Sequence, residues 1–584
     1  MLLTAAWLVI AIPGAADAAT YYIGSFSGSR PADDARCGTG KGAGAAGHPC
    51  ATLEHFNRER RSSVRDGDTV RLAPGLYRPA KDTAAHCIAA QRGVTYEGRD
   101  VDDVAAAPAE AVVIDMARTT VVGPCFGRGV SCASSRGCDA SGFTLRDVTL
   151  RNGRRQGVKL DVPTGVIVDG FTLERVHIAG FGEQGINLSN QPSDIDCRTT
   201  GRRVRNVVIR DSLVEDNHGV FGGIALNCID GFTVEGTTVR ENLPAGCTWE
   251  QCRSHACDCD DHDGLQLVGA INGVFRGGTI ERCGEDCLDI GGHWRKTYNI
   301  TVEGNRIRDG GSRWMKMSGG THDIAVRNNY FTGSGVFEMA TCQTNVDVSN
   351  NTMWRDDVGE VVKIWTKCQT CEFVNNIVVG RTGGASDRII MVSRAGSDPS
   401  VRWMANVVYN AGDGGLALRE ETGRGNCGNC TCGGDCLAPA WCPEPWPSPQ
   451  RNQRLRIDEL ARFQREGDAG DWFGAESGDR DVWGERPATV RGEADTVSLP
   501  RLAVDDLVAQ DRGLDLSRAG RCTAGRCTKG SPGTSCSTHA ECAFTRDFDG
   551  ELRTGPWDIG ADEQPASGPF PPASGLEPAA GIQH

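Results

Sequence analysis

The chain is 584 residues long, carries a formal charge of −14, and contains 76 Gly against 17 Phe, 12 Trp and 7 Tyr. Such a length holds several ordinary domains or one continuous repeat array, and a composition rich in Gly and poor in aromatics describes tight turns and short strands, so all-β is the favoured class. The acidic balance speaks against nucleic acid or an anionic membrane as the main partner, because both are bound through basic surfaces.

In chain order, residues 1–19 read MLLTAAWLVIAIPGAADAA, an apolar stretch closing on Ala16-Asp17-Ala18, and are expected to be a secretory signal peptide. No later segment is apolar enough to span a bilayer. The 26 Cys, an even number, fit disulfides formed in an oxidising compartment. A secreted protein is expected, whether extracellular, periplasmic or at the cell surface.

Residues 141–412 repeat one phrase: a short alternating strand, an Asn or Asp, a second strand, a Gly-rich turn and a third strand. In TVEGNRIRDGG, AVRNNYFTGSG, DVSNNTMWRDD, EFVNNIVVGRT and RWMANVVYNAG it places Asn305, Asn329, Asn351, Asn376 and Asn406 at intervals of 24, 22, 25 and 30 residues. Asp147 in TLRDVTL and Asp211 in VIRDSLV are expected at the same place. A leucine-rich horseshoe shares this period but needs a recurring Leu frame. Here Val, Ile, Phe and Met alternate with no helical stretch between, which predicts three strands per coil of a single-stranded right-handed parallel β-helix. Roughly eleven coils at strand spacing would make a rod about 50 Å long. The Asn column is expected to stack as a hydrogen-bonded ladder.

Residues 20–140, with YYIGSFSGS, Cys50-Ala51-Thr52-Leu53 and GDTVRLAPGLYR, resemble the N-terminal beginning of bacterial secreted β-helix proteins and read as a cap and first coils. Residues 413–500 interrupt the repeat as a Cys-rich insertion with NCGNCTCGGDC and a short helix expected over 457–464. Residues 501–563 read as a closing segment, with Asp547-Phe548-Asp549-Gly550 and the run from Asp558 to Glu563. The Pro, Ala and Gly-rich residues 564–584 are expected to be a disordered tail.

Outward positions of one strand per coil are where chemistry could sit, since inward ones fill the core. Aligning GVKLD, GINLS, GIALN, GLQLV, CLDIG, WMKMS, VFEMA and VVKIW predicts an outward column of Lys159, Asn187, Ala225, Gln266, Asp289, Lys316, Glu338 and Lys363. Its charged end is either an ion-pair ladder or a binding groove. Trp314 and Trp365 beside it suggest stacking against sugar rings, which makes Asp289, Trp314, Lys316, Glu338, Lys363 and Trp365 the candidate substrate-binding residues.

The densest cluster is Cys257-Asp258-Cys259-Asp260-Asp261-His262-Asp263-Gly264, followed by Gly284-Glu285-Asp286-Cys287. Close carboxylates call for a hard cation, a basic partner or protonation, and Asp258, Asp260 and Asp261 are candidate Ca²⁺ ligands. Asp261-His262-Asp263-Gly264 and Gly284-Glu285-Asp286-Cys287 resemble the Asn-Thr-Asp-Gly and Gly-Asp-Asp-Cys motifs of polygalacturonases. The resemblance implies that Asp263, Glu285 and Asp286 form a carboxylate trio for an inverting hydrolysis. That family's Gly-His-Gly turn and Arg-Ile-Lys strand are missing; Arg313-Trp314-Met315-Lys316 stands one coil on. Glu360, Lys367 and Arg394 resemble instead the Lys base and Arg of β-helix polysaccharide lyases, whose carboxylate-bound Ca²⁺ neutralises a uronate. Cys247, Cys252, Cys257 and Cys259 with His255 and His262 could hold zinc, but disulfides are favoured in an exported chain.

Two functions follow as expectations. One is the binding or cleavage, by lyase or hydrolase chemistry, of a polyanionic or uronate-containing polysaccharide along the charged column. The other is a non-catalytic secreted or cell-surface structural or adhesion protein, since the fold itself does not choose.

Overall fold

The computed structural model describes residues 18–422, except 35–36, 38–46, 80–81, 121–124, 133–137, 164, 189–196, 198–202, 292–296, 320, 341–342, 365–367, 370, 382, 384–387, 395–400, 405 and 411–415. It also describes 472–475, 521–523 and 526–529. The expected signal peptide, Cys-rich insertion, closing motif and tail therefore lie essentially outside the described residues.

Short strands rich in Val, Ile and Phe follow one another through Gly and Asx corners, and each lies parallel on its counterpart in the coil before. Twelve such strands make one sheet in strict chain order, from Ile88–Ala89 to Leu416–Thr422. A further 25 make a sheet of two joined columns, so each coil contributes to three faces. The period-of-two pattern turns one side of every strand inward, and a continuous core runs from Tyr21 through Phe143, Phe171, Phe275, Phe331 and Phe337 to Phe373. At one end the helix Leu53–Glu59, N-capped by the Thr52 side chain, buries Leu53 and Phe56 against the first coils. It covers an end that would otherwise expose core side chains.

The Asn ladder is present and fully buried. Asn305, Asn329, Asn351 and Asn376 each donate from Nδ2 to the next Asn Oδ1 at 3.0, 2.9, 3.0 and 2.9 Å, ending on Asn406. Each also satisfies a core backbone carbonyl, as Asn351 does for Val326 at 2.9 Å. Asp147 and Asp211 do not stand in this column. They occupy the left-handed position one residue earlier (φ 60° and 50°), where Asn328, Asn350 and Asn375 stand in later coils. Two adjacent Asx places at one corner explain the confusion: the first tolerates positive φ, the second supplies the amide.

A second column was not anticipated. Arg71, Glu97, Arg146, Glu174, Arg210, Glu235, Arg276, Glu303 and Arg327 follow one another across successive coils, alternating in sign throughout. Ion pairs include Arg71–Glu97 at 3.0 Å, Arg276–Glu235 at 2.9 Å and Arg327–Glu303 at 2.6 Å. Exposed pairs contribute little each, but skipping a coil would set like charges side by side, so the column specifies which coil stacks on which. Glu235→Lys, which aligns three cations, is expected to cost about 1 kcal/mol, measured as a lower urea midpoint.

Seven disulfides join described residues, among them Cys247–Cys257 and Cys252–Cys259. These two tie the loop after Thr238–Arg240 around the short helix Trp249–Arg253, in place of a zinc site. The loop is anchored along the rod by Trp249 Nε1 donating to the Asp309 carbonyl (2.8 Å) and by the Arg253–Asp357 ion pair (3.3 Å).

Candidate functional site

Three consecutive strands of the twelve-stranded sheet, Leu265–Gln266, Asp286–Ile290 and Arg313–Met317, carry the site. Their register sets Gln266, Asp289, Lys316, Glu338 and Lys363 opposite one another in turn. The same alignment continues back through Ala225 and Asn187 to Lys159. The predicted alignment is thus in place, but Ala225, Gln266, Asp289 and Glu338 are buried rather than open to solvent.

At the corner before each strand the acidic motifs converge. The disulfide-tied loop delivers Asp263, and one coil on the Cys283–Cys287 disulfide brackets Glu285 and Asp286. Gly264 and Gly284 permit this close approach: a Cβ on Gly264 would meet the Cys287 carbonyl at 2.5 Å, and one on Gly284 the Cβ of His262 at 2.7 Å. Asp263, Glu285 and Asp286 each offer a carboxylate oxygen within 4.8 Å of the others. The predicted trio is brought together, and among the described residues it is the one set of three or more acidic, His or Cys side chains close enough to share a cation. Asp258, Asp260 and Asp261 do not form such a group. They lie on the exposed tip of the loop, and Asp261 instead donates its N–H to Glu285 Oε2 at 2.8 Å.

Arg313 is the hub that sequence reasoning left as a displaced cation. Its Nη1 reaches Glu285 Oε1 (2.9 Å) and Asp286 Oδ1 (2.8 Å), and its Nε reaches Glu338 Oε2 (2.7 Å). Lys316 Nζ lies 3.2 Å from Asp286 Oδ2. The column is therefore not a simple ladder of vertical pairs, because Lys316 and Glu338 both turn to partners at the strand entrance. Asp263 accepts from Gln266 Nε2 (3.2 Å) and from the Asp286 N–H (3.3 Å), and Asn227 Nδ2 in turn holds Gln266 Oε1 at 2.8 Å.

Asp263 is 2% exposed, Asp286 1% and Asp289 9%. Burial, then the charges of Asp289, Asp286 and Glu285, push the Asp263 carboxyl well above the usual range. Asp289 is pushed up to about 7, by burial above all and by Asp286 and Glu285, with Lys316 and Arg313 opposing. Burial also raises Asp286, against the pull of Lys316 and Arg313. Glu285 goes the other way: burial would raise it, but the Asp261 N–H, Lys316 and Arg313 outweigh that and keep it ionised. Asp286 and Asp289 hold the Lys316 ammonium above its ordinary range despite burial.

A carboxyl raised in the folded state stabilises fully below its unfolded pKa, and that contribution is lost as pH rises through the folded value. Between about pH 4, where an unfolded Asp titrates, and about pH 7 the melting temperature should therefore fall through the titration of Asp289. Asp289→Asn should flatten that fall in differential scanning calorimetry; an unchanged slope would mean that Asp289 does not titrate there.

Trp314 corrects a sequence expectation. It is 0% exposed, packs against Phe331 with ring centroids 6.1 Å apart, and donates from Nε1 to the Thr332 carbonyl at 2.9 Å. It is a core residue and offers no platform for a sugar. Trp365, Lys367 and the Arg394 side chain lie outside the described residues, and Glu360 is half-buried.

Residues 128–378 match the family described as the right handed beta helix region. Comparison with curated proteins finds no match. Among solved structures, the A-module of the Azotobacter vinelandii mannuronan C-5 epimerase AlgE4 is similar at 16% identity and a TM-score of 0.37, covering 64% of this chain and 92% of that one. The catalytic domain of a GH87 α-1,3-glucanase, in complex with tetrasaccharides, is similar at 12% identity and a TM-score of 0.34, over 68% of this chain and 69% of that one. Pectate lyase Pel9A is similar at 11% identity and a TM-score of 0.29, over 70% and 78%. The sequential coils, their parallel pairing and the match over 128–378 together show that the described residues fold as a right-handed parallel β-helix.

Proposed function

We propose that the protein is a polysaccharide hydrolase working on the outer face of the twelve-stranded sheet, with Asp289 as general acid and Glu285 as base. The observation that carries this reading is a carboxyl held near 7 beside a carboxylate held ionised, on one coil. Two carboxyl groups whose environments push them apart are what acid–base cleavage of a glycosidic bond requires. Asp289 passes its proton to the glycosidic oxygen as the bond to the anomeric carbon breaks. Glu285 takes a proton from the water whose oxygen forms the new bond. Asp263 and Asp286, nearly buried, act as positioning residues: Asp286 fixes Arg313 and Lys316 and, with Glu285, pushes Asp289 toward its protonated form, and Asp263 holds Gln266 and the Asp286 N–H.

Lyase chemistry fits less well, because a Lys base has to be neutral and Lys316 is held firmly protonated by Asp286 and Asp289. One observation favours a non-catalytic glycan-binding surface: Asp263 and Asp286 are shut from solvent. Incubation of the protein with a panel of neutral, amino and uronate polysaccharides, read by new reducing ends and by unsaturated-uronate absorbance, separates the readings. Reducing ends without absorbance are expected, with kcat/KM level at roughly pH 5–6 and falling on a limb near pH 7. Absorbance would establish a lyase, and binding without either signal would establish a binding protein.

A further inference from the structure

We infer that the sugar unit seated against Asp289 carries a free amine, so that the ligand is a glycan of 2-amino-2-deoxy sugars rather than a polyuronate. The inference rests on the reading of this face as a polysaccharide site, and starts from its charge. Asp263, Glu285, Asp286, Asp289 and Glu338 gather around two cations, Arg313 and Lys316, and Lys363 adds one more a coil further on. Among the described residues the site therefore holds more carboxyl groups than cations, and Asp263 and Asp289 are pushed toward their protonated forms for want of a further positive charge. A uronate carboxylate brought here meets like charge at low dielectric, where repulsion is strongest.

The excess is not spread evenly. Asp286 faces Arg313 and Lys316, Glu285 faces Arg313 and the Asp261 N–H, Glu338 faces Arg313, and both oxygens of Asp263 accept a hydrogen bond. Asp289 differs: Lys316 stands opposite and acts on it through charge, yet its Oδ1 is buried without a hydrogen-bond partner, in a residue more than nine-tenths buried. An orphaned buried carboxylate oxygen costs free energy until a donor arrives. A neutral hydroxyl supplies a donor without charge, whereas an ammonium supplies three donors and the missing positive charge. The exposed Asp258, Asp260 and Asp261, on the loop that ends in Asp263, add a negative rim that draws a cationic polymer inward.

The groups facing Asp289 are Asp263 and Gln266 from the preceding coil, Glu285 and Asp286 from its own, and Arg313 and Lys316 from the next. Burial and the neighbouring carboxylates hold Asp289 largely protonated at pH 6. An incoming ammonium reverses that balance, so binding should expel a proton.

Isothermal titration calorimetry of the whole protein at pH 6, in two buffers of different ionisation enthalpy, tests this with chitosan oligosaccharides, their fully N-acetylated counterparts and oligogalacturonate. The free amine is expected to bind about tenfold tighter than the acetylated form, with net proton release. Asp289→Asn should remove both the preference and the release. Equal or tighter binding of the acetylated oligomer or of oligogalacturonate overturns the inference, as does binding of none of the three; these outcomes are read on the unsubstituted protein and do not depend on the variant folding. Cleavage of a neutral glycan with no amine preference would defeat this inference alone. Amine-selective binding with no cleavage of any glycan would defeat the hydrolase reading alone.

Discussion

Glu285→Gln is expected to lower kcat on the cleaved polysaccharide by about 10²–10⁴-fold while leaving the fold intact. The substitution is isosteric, and Arg313 keeps Asp286 at 2.8 Å and Glu338 at 2.7 Å, so the hub is not stripped of its partners. What is lost is the one ionised carboxylate of the site that is only half-buried. Asp289→Asn should cause a comparable fall for the opposite reason, since an amide cannot deliver the proton. The two variants separate in their pH profiles. Glu285→Gln should retain a basic limb in its residual activity, moved below pH 7 because Glu285 no longer raises Asp289, and Asp289→Asn should lose it. Retention of full activity by either variant would remove that residue from the chemistry.

The second large effect is structural. Asn351→Ala should destabilise the protein by about 4 kcal/mol, or prevent folding. Asn351 Oδ1 accepts both the Asn329 N–H at 3.0 Å and the Asn329 side chain at 2.9 Å, and its Nδ2 donates to Val326, Ser349 and Asn376. A methyl in its place leaves several buried polar groups unsatisfied at once, and each costs about 1–3 kcal/mol. No water can enter to help, since Asn329, Asn351 and Asn376 are all fully buried. Hydrogen exchange should show the loss spreading to the Asn329 and Asn376 amides, and the urea midpoint should drop. An unchanged midpoint would mean that the ladder follows from the coil and does not hold it.

The column from Lys159 to Lys363 could be read directly, because within a strand the side chains obey a period of two and the flanking apolar residues mark the inward face. Trp314 escaped the same rule. It sits at the corner where the chain enters the strand, and there it turns inward although Met315 and Met317 already fill the core side. The corner also hid Arg313, yet a signal was available: it stands opposite Asp286 in the next coil, and a cation directly below a carboxylate is worth noticing in any parallel stack. The trio of Asp263, Glu285 and Asp286 was legible from motif resemblance, but its burial was not. Exposure depends on how closely two corners approach, which Gly264 and Gly284 set through backbone contacts made between coils. The alternating Arg and Glu column went unseen because its successive members are 24 to 49 residues apart and no two of them share a motif.

The chain-order stacking of the coils has a consequence for how such a surface can change. Each coil touches little beyond the one before and the one after, as the pairing of Asp289 with Gln266 and Lys316 alone illustrates. Duplicating a coil would carry everything beyond it about 4.8 Å further along the axis and leave the earlier side chains where they were. Length along a polymer and chemistry at one point of it are thus separate variables in this architecture, the first altered by whole coils and the second by single side chains on one of them.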